Sequence, residues 1–247
     1  MQIKILSLLI VLYSSVCYAG GWYYGAVDVS APTYLFEADF ETDGMISWDI
    51  TPGTEDCDGY DADGDWCDYD TTQYAEGSHS LGIRGAYTNQ YMEKTVTGSS
   101  TEFYIDYWTR FDALTSSNYN IRVEDSSNAY DLSVLVFTNG ALYVYYNASA
   151  ANEVSSASLI SADTWYHIGI YYKQETTPGS SGDGVMRVYV RSDATAFSYS
   201  DVEIEATDLT TGTVDADSIL FRAPNTGLTQ WYDDVIMDSG DPGWPTS

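Results

Sequence analysis

At 247 residues the chain has room for one large domain with a sizeable core, and 37 acids against nine Lys and Arg give a formal charge of −28. A chain this acidic repels phosphate backbones, which argues against nucleic-acid binding, and it either attracts divalent cations or stays solvated at high salt. Disorder is excluded by 15% aromatic residues and by strand patterning along most of the length.

Residues 1–19 have the form of an export signal. Lys4 supplies the charge, Ile5–Tyr13 the apolar run and Val16-Cys17-Tyr18-Ala19 the cleavage site before Gly20. The run is too short for a membrane anchor. The alternatives are a buried first strand, or a lipid anchor on Cys17, for which Val16 stands where a small residue is expected. A secreted, extracellular or cell-surface protein without a membrane span is therefore expected. Gly20–Thr33 (G-G-W-Y-Y-G-A-V-D-V-S-A-P-T) is an aromatic, strand-prone extension set off by Pro32. It either folds back on its own domain or completes a second copy by strand exchange, in a homo-oligomer or filament.

Tyr34–Glu41 is the first strand expected, with Phe36, Ala38 and Phe40 on one face and Glu37, Asp39 and Glu41 on the other. Its E-A-D-F-E resembles the E-x-D-x-E of laminarinase-type glycoside hydrolases, which would make one Glu nucleophile and the other acid/base. Here the string opens the domain instead of lying in its middle. On a regular strand, residues i and i+4 are about 13 Å apart, against about 5–5.5 Å between a retaining pair of carboxyls. Glu37, Asp39 and Glu41 are thus the catalytic candidates, with a solvated or calcium-touching edge as the preferred reading.

Asp56–Asp70 holds seven aspartates in fifteen residues: Asp56, Asp58, Asp61, Asp63, Asp65, Asp68 and Asp70. Cys57 and Cys67, the two cysteines left after cleavage, are expected to form a disulfide across it. Crowded carboxylates repel one another, and a calcium ion with six to eight oxygen ligands relieves that. The spacing is not an EF-hand, because Trp66 and Thr72 stand where that motif needs Gly and Glu. The alternative is an acidic loop with no ion. Trp66 and Tyr69 either pack beneath the loop or offer an aromatic platform.

Strands follow at His79–Gly85, Gln90–Val96 and Glu102–Phe111. In the last, Phe103, Ile105, Tyr107 and Phe111 make a core face, and Tyr104, Asp106, Trp108 and Arg110 the opposite one. Trp108 beside Asp106 and Arg110 is the candidate glycan site: the ring stacks on sugar C–H surfaces and the charges bond hydroxyls. Ordinary cross-strand pairing is the alternative. Tyr119–Glu124, Tyr130–Phe137 and Ala141–Tyr146 continue the meander, with a turn at Thr138-Asn139-Gly140 and a glycosylation sequon at Asn147.

Thr164–Lys173 and Val185–Arg191 alternate at period two around the turn-rich Q-E-T-T-P-G-S-S-G-D-G. Tyr166, Ile168, Ile170 and Tyr172 share one face of this hairpin. Lys173, Arg187 and Arg191 share the other, where they either bind an acidic polysaccharide or neutralise nearby acids and protect sheet edges. The W-Y-H-I hairpin, the early F-E-A-D-F-E-T-D-G with Trp48, and the late W-Y-D-D-V-I-M (Trp231–Met237) together resemble the concanavalin A-like, laminin-G-like domains of secreted proteins. The resemblance covers Tyr34 to Asp238 and implies an all-β, two-sheet antiparallel jelly-roll sandwich. Val202–Ala206, Ser218–Arg222 and Thr229–Met237 complete the strands, and 239–247 reads as a tail.

No phosphate loop or zinc cluster is present, and the alginate-lyase signature Tyr-x-Lys-x-Gly-x-Tyr-x-Gln is missing at Tyr171–Glu175. The expected function is non-catalytic binding of a glycan or extracellular surface, with calcium as a stabilising ion. The rivals are a filament-forming structural subunit and a glycoside hydrolase or polysaccharide lyase.

Overall fold

A computed structural model of the chain describes residues 34–41, 59–60, 66–85, 91–96, 100–114, 118–124, 130–146, 151–155, 158–211, 216–222 and 227–245. The export segment, the extension 20–33, the sequon at Asn147 and Asp56, Cys57, Asp58, Asp61, Asp63 and Asp65 lie outside them, as do the side chains of Trp66, Cys67 and Asp68.

In chain order the strands are β1 (Phe36–Ala38), β2 (Gly59–Tyr60), β3 (Trp66–Asp70), β4 (Ser80–Gly85) and β5 (Tyr91–Thr95). Next come β6 (Glu102–Phe111), β7 (Asn118–Glu124), β8 (Tyr130–Val136), β9 (Leu142–Tyr146) and β10 (Ala151–Val154). The last are β11 (Tyr166–Lys173), β12 (Gly184–Arg191), β13 (Val202–Leu209), β14 (Ser218–Arg222) and β15 (Leu228–Ser239). They form two antiparallel sheets. The large one runs β13-β12-β11-β6-β15-β4-β3-β2 with β1 also on β15, and the small one runs β10-β9-β8-β7-β14-β5.

Period-two patterning explains the layering. In β11, Tyr166, Ile168, Ile170 and Tyr172 are buried in the core cluster, as the alternation requires, and they meet Phe103, Ile105 and Tyr107 of β6. The small sheet contributes Ile121, Val123, Leu132, Val134, Leu142 and Val144 from the other side. The expected hairpin pairs from His167↔Arg191 to Lys173↔Val185. Its connector is organised by the buried Glu175 carboxylate, which accepts the N–H groups of Gly179 (2.5 Å), Ser181 (2.9 Å) and Gly182 (2.9 Å). Gly179 and Gly182 take φ of 79° and 60°, the left-handed region that glycine adopts without strain.

A polar layer crosses this core. A register shift between Tyr119 and Ile121 accompanies an inward Asn120, whose side chain donates to the Tyr107 hydroxyl (2.9 Å) and accepts from Gln230 (2.5 Å). Asn120, Tyr107 and Gln230 are fully buried, so these bonds fix how the sheets face each other.

Three expectations need correction. The first paired strand is only Phe36–Ala38, and Phe40 leaves extended backbone with φ 57°, although Phe36, Ala38 and Phe40 all face the core as expected. The Asp-rich segment is not all loop, since Trp66–Asp70 pairs with Ser80–Arg84. The C-terminal segment is no free tail: its Trp244 packs against Tyr104, Tyr189 and Phe197.

Candidate functional site

The outer face of the large sheet was expected to offer Trp108. In place it is 7% exposed, and its ring stacks on His167 at 4.9 Å and 14°. His167 is covered in turn by Phe197 at 4.4 Å. Asp106 is engaged by the His167 Nε2, and Arg110 by Asp163 (2.8 Å) and by the Trp231 ring, 4.9 Å away. Trp108 is therefore a covered residue and not the open sugar platform its strand position implied. The stacking partner Phe197 comes from a loop that the strand alternation could not place.

In the interior of this sheet β15 exchanges neighbours, pairing with β4 through Tyr232 and with β1 from Val235. The bulge between them carries Asp233 and Asp234, the latter at φ 43°. Asp233 is buried and accepts the N–H groups of Ala75 (2.8 Å) and Glu76 (3.1 Å). Burial pushes its carboxyl up to about 7, against those donors. Asp234 is raised too, by burial and then by the charges of Asp233 and Glu76. These are the most perturbed carboxyls of the described residues, and the sequence reading missed them as titratable groups. Among the described residues no three His, Cys, Asp or Glu side chains are arranged to hold a metal ion.

Of the E-x-D-x-E carboxylates, Glu41 is committed to the backbone and hydroxyl of the facing turn. Glu41 accepts the N–H of Ser78 (2.8 Å), the N–H of His79 (3.0 Å) and the Ser78 hydroxyl (2.8 Å). Burial works against its ionisation, but those donors prevail and hold its carboxyl below the usual range. Glu37 moves the opposite way, raised by burial and then by the Asp39 charge. Asp70 is also committed: Thr72 and Gln73 bond one oxygen, and the Trp231 indole donates to the other (2.7 Å). It braces a turn. Tyr69 packs inward, its ring 6.4 Å from Phe40, which settles its packing role against the platform role.

The outer face of the small sheet holds the arrangement that sequence reasoning passed over. Because Ile121 and Val123 point into the core, Arg122 and Glu124 point out, as period two demands. The Arg122 Nε meets Glu124 Oε1 at 2.8 Å, with side chains only 15% and 8% exposed. Ser133 lies opposite Arg122, Tyr145 opposite Ser133, and Leu220 opposite Arg122 on the other side, with Glu93 beyond it. The Ser133 hydroxyl is 2% exposed and has no hydrogen-bond partner among the described residues. A row of acid, ion pair, unsatisfied hydroxyl and tyrosine thus crosses five strands. Its signal was there in R-V-E at strand spacing and in a lone Ser amid the apolar D-L-S-V-L-V.

No protein-family model and no curated protein sequence matches the chain. Solved structures do. One is the cellulose induced protein Cip1, with TM-score 0.59 and 14% identity over 86% of this chain and 99% of that one. Another is the marine PL-14 alginate lyase from Aplysia kurodai, with TM-score 0.50 and 11% identity over 71% of this chain and 89% of that one. The fold is an all-β jelly-roll sandwich. At such identities the likeness speaks to the fold alone. Among the described residues no helix is long and apolar enough to cross a membrane.

Proposed function

We propose that the protein is an extracellular, concanavalin A-like jelly roll that binds a neutral glycan across the outer face of its small sheet. The observation that carries this reading is the Arg122–Glu124 pair with the half-buried Tyr143 and Tyr145 on the same outer face. Arg122 offers donors and Glu124 acceptors, the set that sugar hydroxyls need. Tyr145 and Tyr143 lie further along the same face, on β9, and a ring there suits the C–H side of a pyranose. The pair is neutral in sum, and the chain is strongly acidic, so an uncharged saccharide fits better than a uronate. Of the two similar folds, one is named as induced by cellulose and the other as an alginate lyase, which keeps polysaccharides in view for both binding and cleavage. We propose further that the carboxylates of the Asp56–Asp70 segment take up calcium.

The test is calorimetry of the mature protein against neutral oligosaccharides chosen from a glycan array. Tyr145→Ala should weaken binding by about tenfold, as expected for loss of one aromatic contact worth roughly 1–1.5 kcal/mol. Unchanged affinity in Tyr145→Ala and in Ser133→Ala would remove this face. Release of reducing ends, or absorbance of an unsaturated uronide, would replace binding with chemistry.

A further inference from the structure

We propose that the outer face of the large sheet carries a second saccharide-binding cleft, which the C-terminal segment closes by seating Trp244 in it. The floor of the cleft is Gly169. A Cβ built there would stand 2.6 Å from Phe197 Cε2 and 2.8 Å from Trp244 Cη2 and Cζ3. Glycine on this strand therefore leaves space for flat groups above it, and the Trp244 ring enters with its far edge on that floor. Tyr104, Tyr189 and Phe197 wall it at centroid distances of 5.5, 5.2 and 5.0 Å, each steeply inclined at 67°, 70° and 66°.

The rim is polar. Asp106 lies directly across from Gly169 on β6 and holds His167, whose other ring nitrogen is buried without a hydrogen-bond partner among the described residues. Tyr189 spends its hydroxyl on the Pro245 carbonyl (3.0 Å), and Tyr171 donates to Glu102 (2.7 Å). Flat apolar walls with hydrogen-bonding groups at the edge match a pyranose ring better than a wholly apolar ligand.

The strap is lightly held. Its root is the Gly240 N–H on the Glu102 carbonyl (2.9 Å), its tip is the Tyr189–Pro245 bond, and Gly243 turns back to Asp241 (2.7 Å). Gly240 and Gly243 take φ of 87° and 72°, with open space where a Cβ would stand. Asp241, Gly243 and Pro245 are exposed. Swinging the segment out breaks one ring contact set and one terminal hydrogen bond, far less than opening a strand. On release Tyr189 regains a hydroxyl for a ligand, and the ligand must compete only with Trp244.

The experiment uses the full mature chain and cello-, xylo- and chito-oligosaccharides as probes. Trp244→Ala should bind one series more tightly than the unmodified chain, by a factor equal to the closed-to-open ratio of the strap. Relaxation dispersion of the Trp244 indole signal in the unmodified chain, which reads exchange of the ring between closed and open positions, measures that ratio independently, and the two should agree. Gly169→Ala evicts the strap but fills the floor, so it should gain nothing. The synthetic peptide Gly240–Ser247 should compete with the sugar on Trp244→Ala. The gain should persist with Tyr145→Ala added, which separates it from the small-sheet reading. A folded Trp244→Ala with no gain overturns the proposal. So does Trp244→Ala that cannot fold, or a Trp244 indole signal that shows no dispersion, since either makes the ring a fixed core residue.

Discussion

The two outer faces of the sandwich deal with polar groups in opposite ways. On the large sheet the aromatic rings cover one another, Trp108 on His167 and His167 on Phe197, and Trp244 caps the middle. Its charges are taken up singly, Asp106 by His167 and Arg110 by Asp163. On the small sheet a close ion pair lies next to a buried hydroxyl with no partner among the described residues, and Tyr143 and Tyr145 stay half-buried beside it. The large sheet also leaves one His167 ring nitrogen without a partner among the described residues, but Trp244 and Phe197 lie over that region, so the small sheet is the face left open. For this reason we place the primary binding surface on the small sheet, although the large sheet has more aromatic residues.

The largest effect expected is at the ion pair. Arg122→Ala leaves Glu124 nearly buried without its cation, which should cost on the order of 3–5 kcal/mol in urea unfolding. Arg122→Met with Glu124→Leu should recover most of that. If both variants lose the same amount, the pair is not a buried unit and the contrast between the faces weakens.

A smaller effect separates the acidic bulge of the large sheet from the rest. Burial pushes Asp233 up to about 7 and raises Asp234 as well, so the folded state holds these protons more tightly than the unfolded chain. Their contribution is complete below the ordinary Asp value of 3.8 and is lost as pH rises through about 7. Stability should fall across that window by on the order of 3 kcal/mol, and Asp234→Asn should flatten the fall. Glu41 and Asp70, whose carboxyls are held low, act oppositely and lose their contribution in acid. A melting temperature that rises from pH 5 to 8 would show that the carboxylates are neutralised by something else.

The smallest effect is calcium. If the carboxylates of the Asp56–Asp70 segment bind it, free calcium at tenfold over Kd should add about 1.4 kcal/mol. Superimposable melts in chelator and in millimolar calcium would end that proposal and leave the loop a solvated one.

The hairpin and the core were readable because large apolar residues at every second position leave one way to fold. β6 runs from Glu102 to Phe111 just as its alternation implied. What escaped was set by distant chain. Trp108 is outward by alternation, yet His167 of β11 stacks on it, and Phe197, many residues later in sequence, covers His167. The backbone turn at Phe40, with φ 57°, is likewise announced by no local pattern. Arg122 and Glu124 were visible at the right spacing, but their neighbours Ser133 and Tyr145 come together only through strand register.

The exchange of partners along β15 has a consequence for how the chain reaches this state. β15 lies between β6 on one side and β4 followed by β1 on the other, so it joins the two halves of the large sheet. Until it is present, β4, β3 and β2 have no neighbour linking them to β6, β11, β12 and β13. β15 is also the final strand in the sequence, and it pairs with segments far upstream. Such non-local pairing has a high contact order and folds slowly. A ribosome must therefore release almost the whole chain before the large sheet can close, and until then both of its halves keep an open edge.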